Sequence, residues 1–161
     1  MINRNLNLAP LEFSIVLPAS PEQFIQLSSD YESLPKFLPG QLKSVRIIQQ
    51  DSNQTITEEI LVFRTVIKNE ICQKTIHYNR QNNELLTEII SGPAKGTTIL
   101  AVFKKVSDGT EIHVEVKLNL SLKAKILSPI IKKWYRRILM GIFYKMNNII
   151  LDQEKAQIKK S

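Results

Sequence analysis

At 161 residues the chain suffices for one compact domain that buries roughly 70% of its extended-chain surface, and is too short for two ordinary ones. With 43% hydrophobic and 23% charged residues, 5 Gly and 7 Pro, it is neither collagenous nor low-complexity nor wholly disordered. The formal charge of +7, from 22 basic and 15 acidic side chains, is unevenly placed. Residues 116–151 hold Lys117, Lys123, Lys125, Lys132, Lys133, Arg136, Arg137 and Lys145 and no Asp or Glu, which leaves the remainder close to neutral. A basic field of this kind attracts the phosphates of nucleic acid or of anionic lipid, and equally keeps a protein soluble without any partner.

A lone cysteine, Cys72, makes no internal disulfide, and the opening MINRNLNLAP lacks the apolar core of a secretion signal. Both point to a reducing, cytoplasmic setting. No apolar run approaches the roughly 20 residues of a membrane-spanning helix, the longest being Ile138 to Tyr144. No repeat or linker interrupts the chain, so a single domain over 1–161 is expected, with loose ends at 1–10 and 156–161.

Glu12 to Leu17 places Phe13, Ile15 and Leu17 on one side, the period of a half-buried strand, and stops at Pro18. Ser20, Pro21 and Glu22 form a helix start, with a capping hydroxyl and a first-turn proline, and Phe24, Ile25 and Leu27 give that helix an apolar side. Pro35 and Pro39 then allow only a short turn carrying Tyr31, Leu34, Phe37 and Leu38, before Gly40 releases the chain.

From Gln41 to Leu122 strands follow one another, separated by turn signals at 51–53, 79–83, 91–96 and 107–109. Six strands fit, and with the first they make a seven-stranded antiparallel sheet. The last is the cleanest: Ile112, Val114, Val116, Leu118 and Leu120 alternate with Glu111, His113, Glu115, Lys117 and Asn119. After Pro129 the period changes to about 3.6. Ile131, Trp134, Tyr135, Ile138, Ile142, Met146 and Ile149 take one side of a helix expected to run to about Lys155, and Lys132, Lys133, Arg136 and Arg137 take the other. The fold class is therefore α+β: a curved antiparallel sheet wrapped around a long C-terminal helix, with two short helices between the first two strands. The gap between sheet and helix is a natural pocket for an apolar ligand.

This order of elements resembles the START, polyketide cyclase and lipid-transport superfamily, the helix-grip fold. Within it, Asp30 to Pro39 is similar to the Asp-x-x-x-Tyr-Pro-x-Phe-Leu-Pro signature of the coenzyme Q-binding and ribosome-association-toxin branch, matching at Pro35, Phe37, Leu38 and Pro39. Ser91-Gly92-Pro93 resembles that branch's Gly-Pro turn before an aromatic strand. The chain departs from the branch at Leu34, where Tyr is usual, at Ala94, where Phe is usual, and at Ala101, where Trp is common. Smaller side chains there widen any pocket. The resemblance implies binding of a hydrophobic small molecule, and the toxin branch implies association with ribosomes.

Candidate chemistry is sparse. Two histidines and one cysteine show no metal-ligand spacing, so neither a metal nor a cofactor is expected. His113 falls on the wet side of its strand, His77 is open to either reading, and Cys72 reads as a small core residue. Glu58, Glu59, Glu70 and Glu88 fall within predicted strands; an inward one would be desolvated, with a raised pKa. Glu88, between Leu86 and Ile90, is the preferred candidate for a lone polar group in a cavity. The candidate lining is Phe37, Ile99, Ala101, Phe103, Val114, Leu118, Trp134, Ile138, Ile142 and Met146, residue types that plain core packing also uses.

Three functions follow from these readings. The leading one is a non-catalytic carrier or sensor of a lipid, isoprenoid or quinone that visits anionic membranes through Lys132, Lys133, Arg136 and Arg137. A second is a ribosome- or RNA-associated protein, with the same cations on RNA phosphates. A third is a cyclase-like enzyme that folds a flexible substrate and moves protons through Glu88 and His77.

Overall fold

The computed structural model describes residues 9–64, 68–79 and 81–161. The loose start expected over 1–10 therefore falls mostly outside the described residues. Seven strands form one antiparallel sheet: β1 (Leu11–Leu17), β2 (Leu42–Gln50), β3 (Gln54–Arg64), β4 (Lys68–Asn79), β5 (Glu84–Ser91), β6 (Thr98–Val106) and β7 (Gly109–Lys117). Its order is β1-β7-β6-β5-β4-β3-β2, so β1 and β2, neighbours in the chain, lie at opposite edges. The helix α1 (Pro21–Ser28) and a 3-10 helix (Tyr31–Lys36) join those edges. A four-residue helix, α2 (Leu122–Lys125), precedes α3 (Ser128–Ile158). With 31 residues, α3 is about 46 Å long, and it continues three residues beyond the expected end at Lys155.

Local chemistry explains the joints. Ser20 Oγ accepts from the Gln23 backbone N–H at 3.3 Å while Gln23 Oε1 accepts from the Ser20 N–H at 3.0 Å, a reciprocal cap on α1. Register shifts at Leu42/Ser44 and Ile47/Gln49 in β2, and opposite Lys74/Thr75 where β5 carries the extra residue Ile90, bend the sheet. Between β6 and β7 the chain turns at Gly109 (φ +132°), where a Cβ would run into the Leu17 carbonyl oxygen and come within 2.7 Å of Pro18 Cα.

Two apolar clusters hold α3 to the sheet. The larger gathers Phe13, Ile15 and Leu17 of β1, Ile112, Val114 and Val116 of β7, Phe24, Phe37, Ala101, Phe103, and the rear of α3 through Phe143, Met146 and Ile150. Phe24, Phe103 and Phe143 meet with centroids 5.8 to 6.4 Å apart, Phe143 presenting its edge to the other two rings. Hydrogen bonds clamp the same end: the Ala19 N–H donates to Asn147 Oδ1 at 3.0 Å, Gln23 Nε2 to Glu154 Oε1 at 2.9 Å, and Ser28 Oγ to Met146 Sδ at 3.5 Å. The smaller cluster, at the front, joins Ile138 to Tyr31, Leu38, Leu42 and Val45. There Trp134 also stacks on Phe63 of β3 with centroids 4.3 Å apart. Between front and rear lies Gly141, where an added Cβ would meet nothing within 4 Å.

One sequence expectation for α3 needs correction. Ile149 is 38% exposed and Ile150 is 3% exposed. The docking of Asn147 on Ala19 sets the rear turns so that Ile150 faces inward.

Candidate functional site

Between sheet and α3 a cavity of about 190 Å³ remains. It is larger than the roughly 150 Å³ apolar void that admits benzene. Trp134, Tyr135, Ile138, Ile142 and Met146 of α3 form its roof, with Leu61 of β3, Leu85 and Ile89 of β5, and Ile99 and Ala101 of β6 on the opposite wall. Tyr31, Leu34 and Leu38 close one side.

One wall of this cavity is polar. On β3 and β4 the usual alternation is inverted: Thr55, Thr57 and Glu59 on β3 and Gln73, Thr75 and His77 on β4 are all buried, while Glu58, Cys72 and Lys74 are on the other parity. Glu59, Gln73, Thr75, His77 and Thr87 border the cavity. Glu59 is 9% exposed and accepts from Thr57 Oγ1 at 3.0 Å, Gln73 Nε2 at 2.7 Å and Thr75 Oγ1 at 3.1 Å. Thr57 Oγ1 also lies 3.0 Å from His77 Nε2. Because the single Thr57 proton is committed to Glu59, this second contact is a ring N–H donating to Thr57. Thr87 Oγ1 lies 3.1 Å from His77 Nδ1, and the Tyr31 ring stacks on the imidazole with centroids 4.0 Å apart. A continuous hydrogen-bonded row, Thr87–His77–Thr57–Glu59, thus crosses three strands.

The electrostatics follow from this geometry. Burial pushes the Glu59 carboxyl up, but the His77 imidazole 3.6 Å away and the hydrogen bonds from Gln73 and Thr57 outweigh it, and the pKa falls below the ordinary 4.5. Glu59 is therefore an ionised acceptor, not the raised-pKa donor expected of an inward carboxyl. Tyr135 is pushed up to about 12, first by burial and then by the Glu59 charge, and so stays a phenol. Chemically, the row can hold a ligand's polar end or pass a proton along it.

Of the residues singled out from sequence, Ile99, Ala101, Trp134, Ile138, Ile142 and Met146 border the cavity. Phe37, Phe103 and Val114 do not; they are buried in the larger cluster, and Leu118 packs against its margin. Glu88 also lies elsewhere. Leu85, Leu86, Thr87 and Ile89 of β5 border the cavity and Glu88 does not; Glu88 accepts instead from Oη of Tyr78, itself a lining residue, at 3.2 Å. His77 does face the cavity, whereas His113 is exposed, 2.8 Å from Ser14 Oγ. Cys72 is exposed rather than a core residue, because β4 turns its polar side inward. Among the described residues no group of three His, Cys, Asp or Glu side chains is placed to hold a metal.

At the front of α3, Lys133, Arg136 and Arg137 are exposed and Lys132 is half-buried, with the Arg136 guanidinium 6.0 Å from the centroid of the Phe13 ring. Leu122, Ile126, Leu127 and Ile130 form an exposed apolar ledge beside them. Ile130 stands one helical turn before Trp134, where the cavity begins. Among the described residues no helix is long and apolar enough to cross a membrane.

No family model and no curated protein matches the chain in sequence. Solved structures match in shape. A Thermus thermophilus protein superposes with a TM-score of 0.76 at 15% identity, covering 90% of this chain and 99% of its own. A START superfamily protein from Mycobacterium smegmatis gives 0.72 at 15% identity, covering 89% and 98%. The Zhui aromatase/cyclase from Streptomyces gives 0.73 at 7% identity, covering 88% and 95%. At these identities the likeness establishes the fold, which is the helix-grip architecture shared with START superfamily proteins and aromatase/cyclases.

Proposed function

We propose that the protein binds one hydrophobic small molecule between sheet and α3 and carries or senses it, exchanging it at anionic membrane surfaces. The observation that carries this reading is the cavity itself: about 190 Å³, lined mostly by apolar side chains, with Glu59, Gln73, Thr75, His77 and Thr87 together on one wall. Small-molecule sites take this form, an apolar hollow with a few converging polar groups. Lipids, isoprenoids and quinones are the ligand classes that suit it, and the likeness of Asp30 to Pro39 to the coenzyme Q-binding branch adds weight to an isoprenoid quinone.

The front surface favours a membrane over RNA. Cations on a helix draw toward any phosphate, each contributing up to about 1 kcal/mol at an anionic bilayer. The exposed apolar side chains of Leu122, Ile126, Leu127 and Ile130 suit the hydrocarbon margin of a bilayer and offer nothing to RNA phosphates. Native mass spectrometry after gentle extraction should show a co-purifying lipophile. Vesicles containing phosphatidylserine should sediment the protein, and the double variant Lys133→Glu, Arg137→Glu should stay in solution. Recovery in the ribosome pellet at moderate salt, without vesicle binding, would select the RNA reading instead.

A second reading rests on the Thr87–His77–Thr57–Glu59 row, which is placed to move a proton to or from a bound substrate. Its test is the bound compound itself. A cargo recovered unchanged in mass after incubation in heavy water speaks for a carrier, and one that has gained deuterium at carbon speaks for catalysis.

A further inference from the structure

We infer that Glu59 receives the polar end of the cargo, and that the cargo is therefore a lipophile ending in a hydrogen-bond donor, a hydroxyl or a protonated amine, rather than in a carboxylate or a bare carbonyl. This rests on the carrier reading above and sharpens it.

Glu59 has an unfilled acceptor position beside a mostly apolar cavity. An ionised carboxylate offers about four acceptor positions. At Glu59 three donors within hydrogen-bond distance occupy three of them: Gln73 Nε2 and Thr75 Oγ1 both reach Oε2, while Thr57 Oγ1 alone reaches Oε1. The His77 Nε2 stands 3.6 Å from Oε1, beyond hydrogen-bond range, and its N–H is already spent on Thr57. Oε1 thus keeps room for one more donor on a side chain that borders the cavity.

The surroundings cannot easily supply that donor. Of the roof residues only Tyr135 carries a hydroxyl, and among the described residues no hydrogen bond joins it to Glu59, so a ligand O–H or N–H that reaches Oε1 gains a charge-assisted bond. The same fixed negative charge repels a carboxylate and gives a carbonyl oxygen nothing to accept from. Depression of the Glu59 pKa keeps this character across the neutral range. Applied to quinones, the rule selects the reduced, hydroxyl-bearing form.

The test uses four ten-carbon probes that differ at one end, decanol, decylamine, decanoate and decanal, displacing the neutral dye N-phenyl-1-naphthylamine at pH 7. Charge-assisted bonds are worth about 1.5–3 kcal/mol, so decanol and decylamine should bind at least about tenfold more tightly than decanoate and decanal. In Glu59→Gln this preference should shrink to within about threefold, chiefly because decanoate gains. Decanoate or decanal binding as well as decanol in the unmodified protein overturns the inference while leaving the carrier reading intact. Failure of the dye and every probe to bind overturns both. The ranking in the unmodified protein decides the matter even should the variant not fold.

Discussion

Replacing Ala101 by Leu distinguishes a hollow interior from a filled one by the sign of its effect. Ala101 is 6% exposed and borders the cavity from β6. In a close-packed core, three added carbon atoms force rotamer and backbone shifts costing about 1–3 kcal/mol. Projecting into a void of about 190 Å³, the same atoms leave water at about 0.8 kcal/mol each, roughly 2.4 kcal/mol in all. Ordering the larger side chain takes back about 0.5–1 kcal/mol. The net gain is about 1.5 kcal/mol, and at about 2–4 °C per kcal/mol for a chain of this size Tm should rise by about 3–6 °C. Thermal denaturation of ligand-free protein, followed by circular dichroism, measures it. The same substitution should weaken dye binding roughly tenfold or more by occupying the ligand's room. A fall in Tm with dye affinity unchanged would refute the reasoning, because it would mean that the space beside Ala101 is already filled.

Two further outcomes follow from the polar wall and the clamp. Because the folded-state pKa of Glu59 is depressed below 4.5, its carboxylate contributes stability above that pH and loses it as pH falls through the folded value. The stability of the unmodified protein should therefore drop more steeply below pH 4.5 than that of Glu59→Gln, as read from urea midpoints at stepped pH, and parallel curves would contradict the assignment. Asn147→Leu removes the acceptor of the buried Ala19 N–H, and should cost about 1–3 kcal/mol in urea unfolding; a neutral effect would show that the clamp contributes nothing.

The fold was largely written in periodicities. Alternation at Phe13, Ile15 and Leu17 and from Ile112 to Val116 marked the edge and neighbouring strand, the Ser20-Pro21 cap marked α1, and the change to a helical period marked α3. The site was half legible. Its roof followed from helical spacing, since Trp134, Ile138, Ile142 and Met146 share a face. Its polar wall did not, because hydrophobic alternation assigns Ile56 and Ile60 to the interior, whereas β3 buries Thr55, Thr57 and Glu59. The same rule favoured Glu88, flanked by Leu86 and Ile90, over Glu59. A signal was present in the pairing: Thr57 opposes Thr75 and Glu59 opposes Gln73 across β3 and β4, hydrogen-bonding residues matched on one face of adjacent strands. Strands that break local rules in this way mark functional surfaces.

The anchoring of α3 is lopsided. Its rear is bolted through Asn147, Met146 and Glu154, whereas its leading turns span an empty chamber and rest on a few ring and aliphatic contacts. At the joint stands Gly141, which weakens a helix by about 1 kcal/mol relative to Ala though no neighbour demands the space. The weaker-held end is therefore the one that forms the roof. The tip is also the part that carries the greasy ledge and the cations. In the carrier reading proposed above, a bilayer would therefore meet the same end of α3 that roofs the chamber.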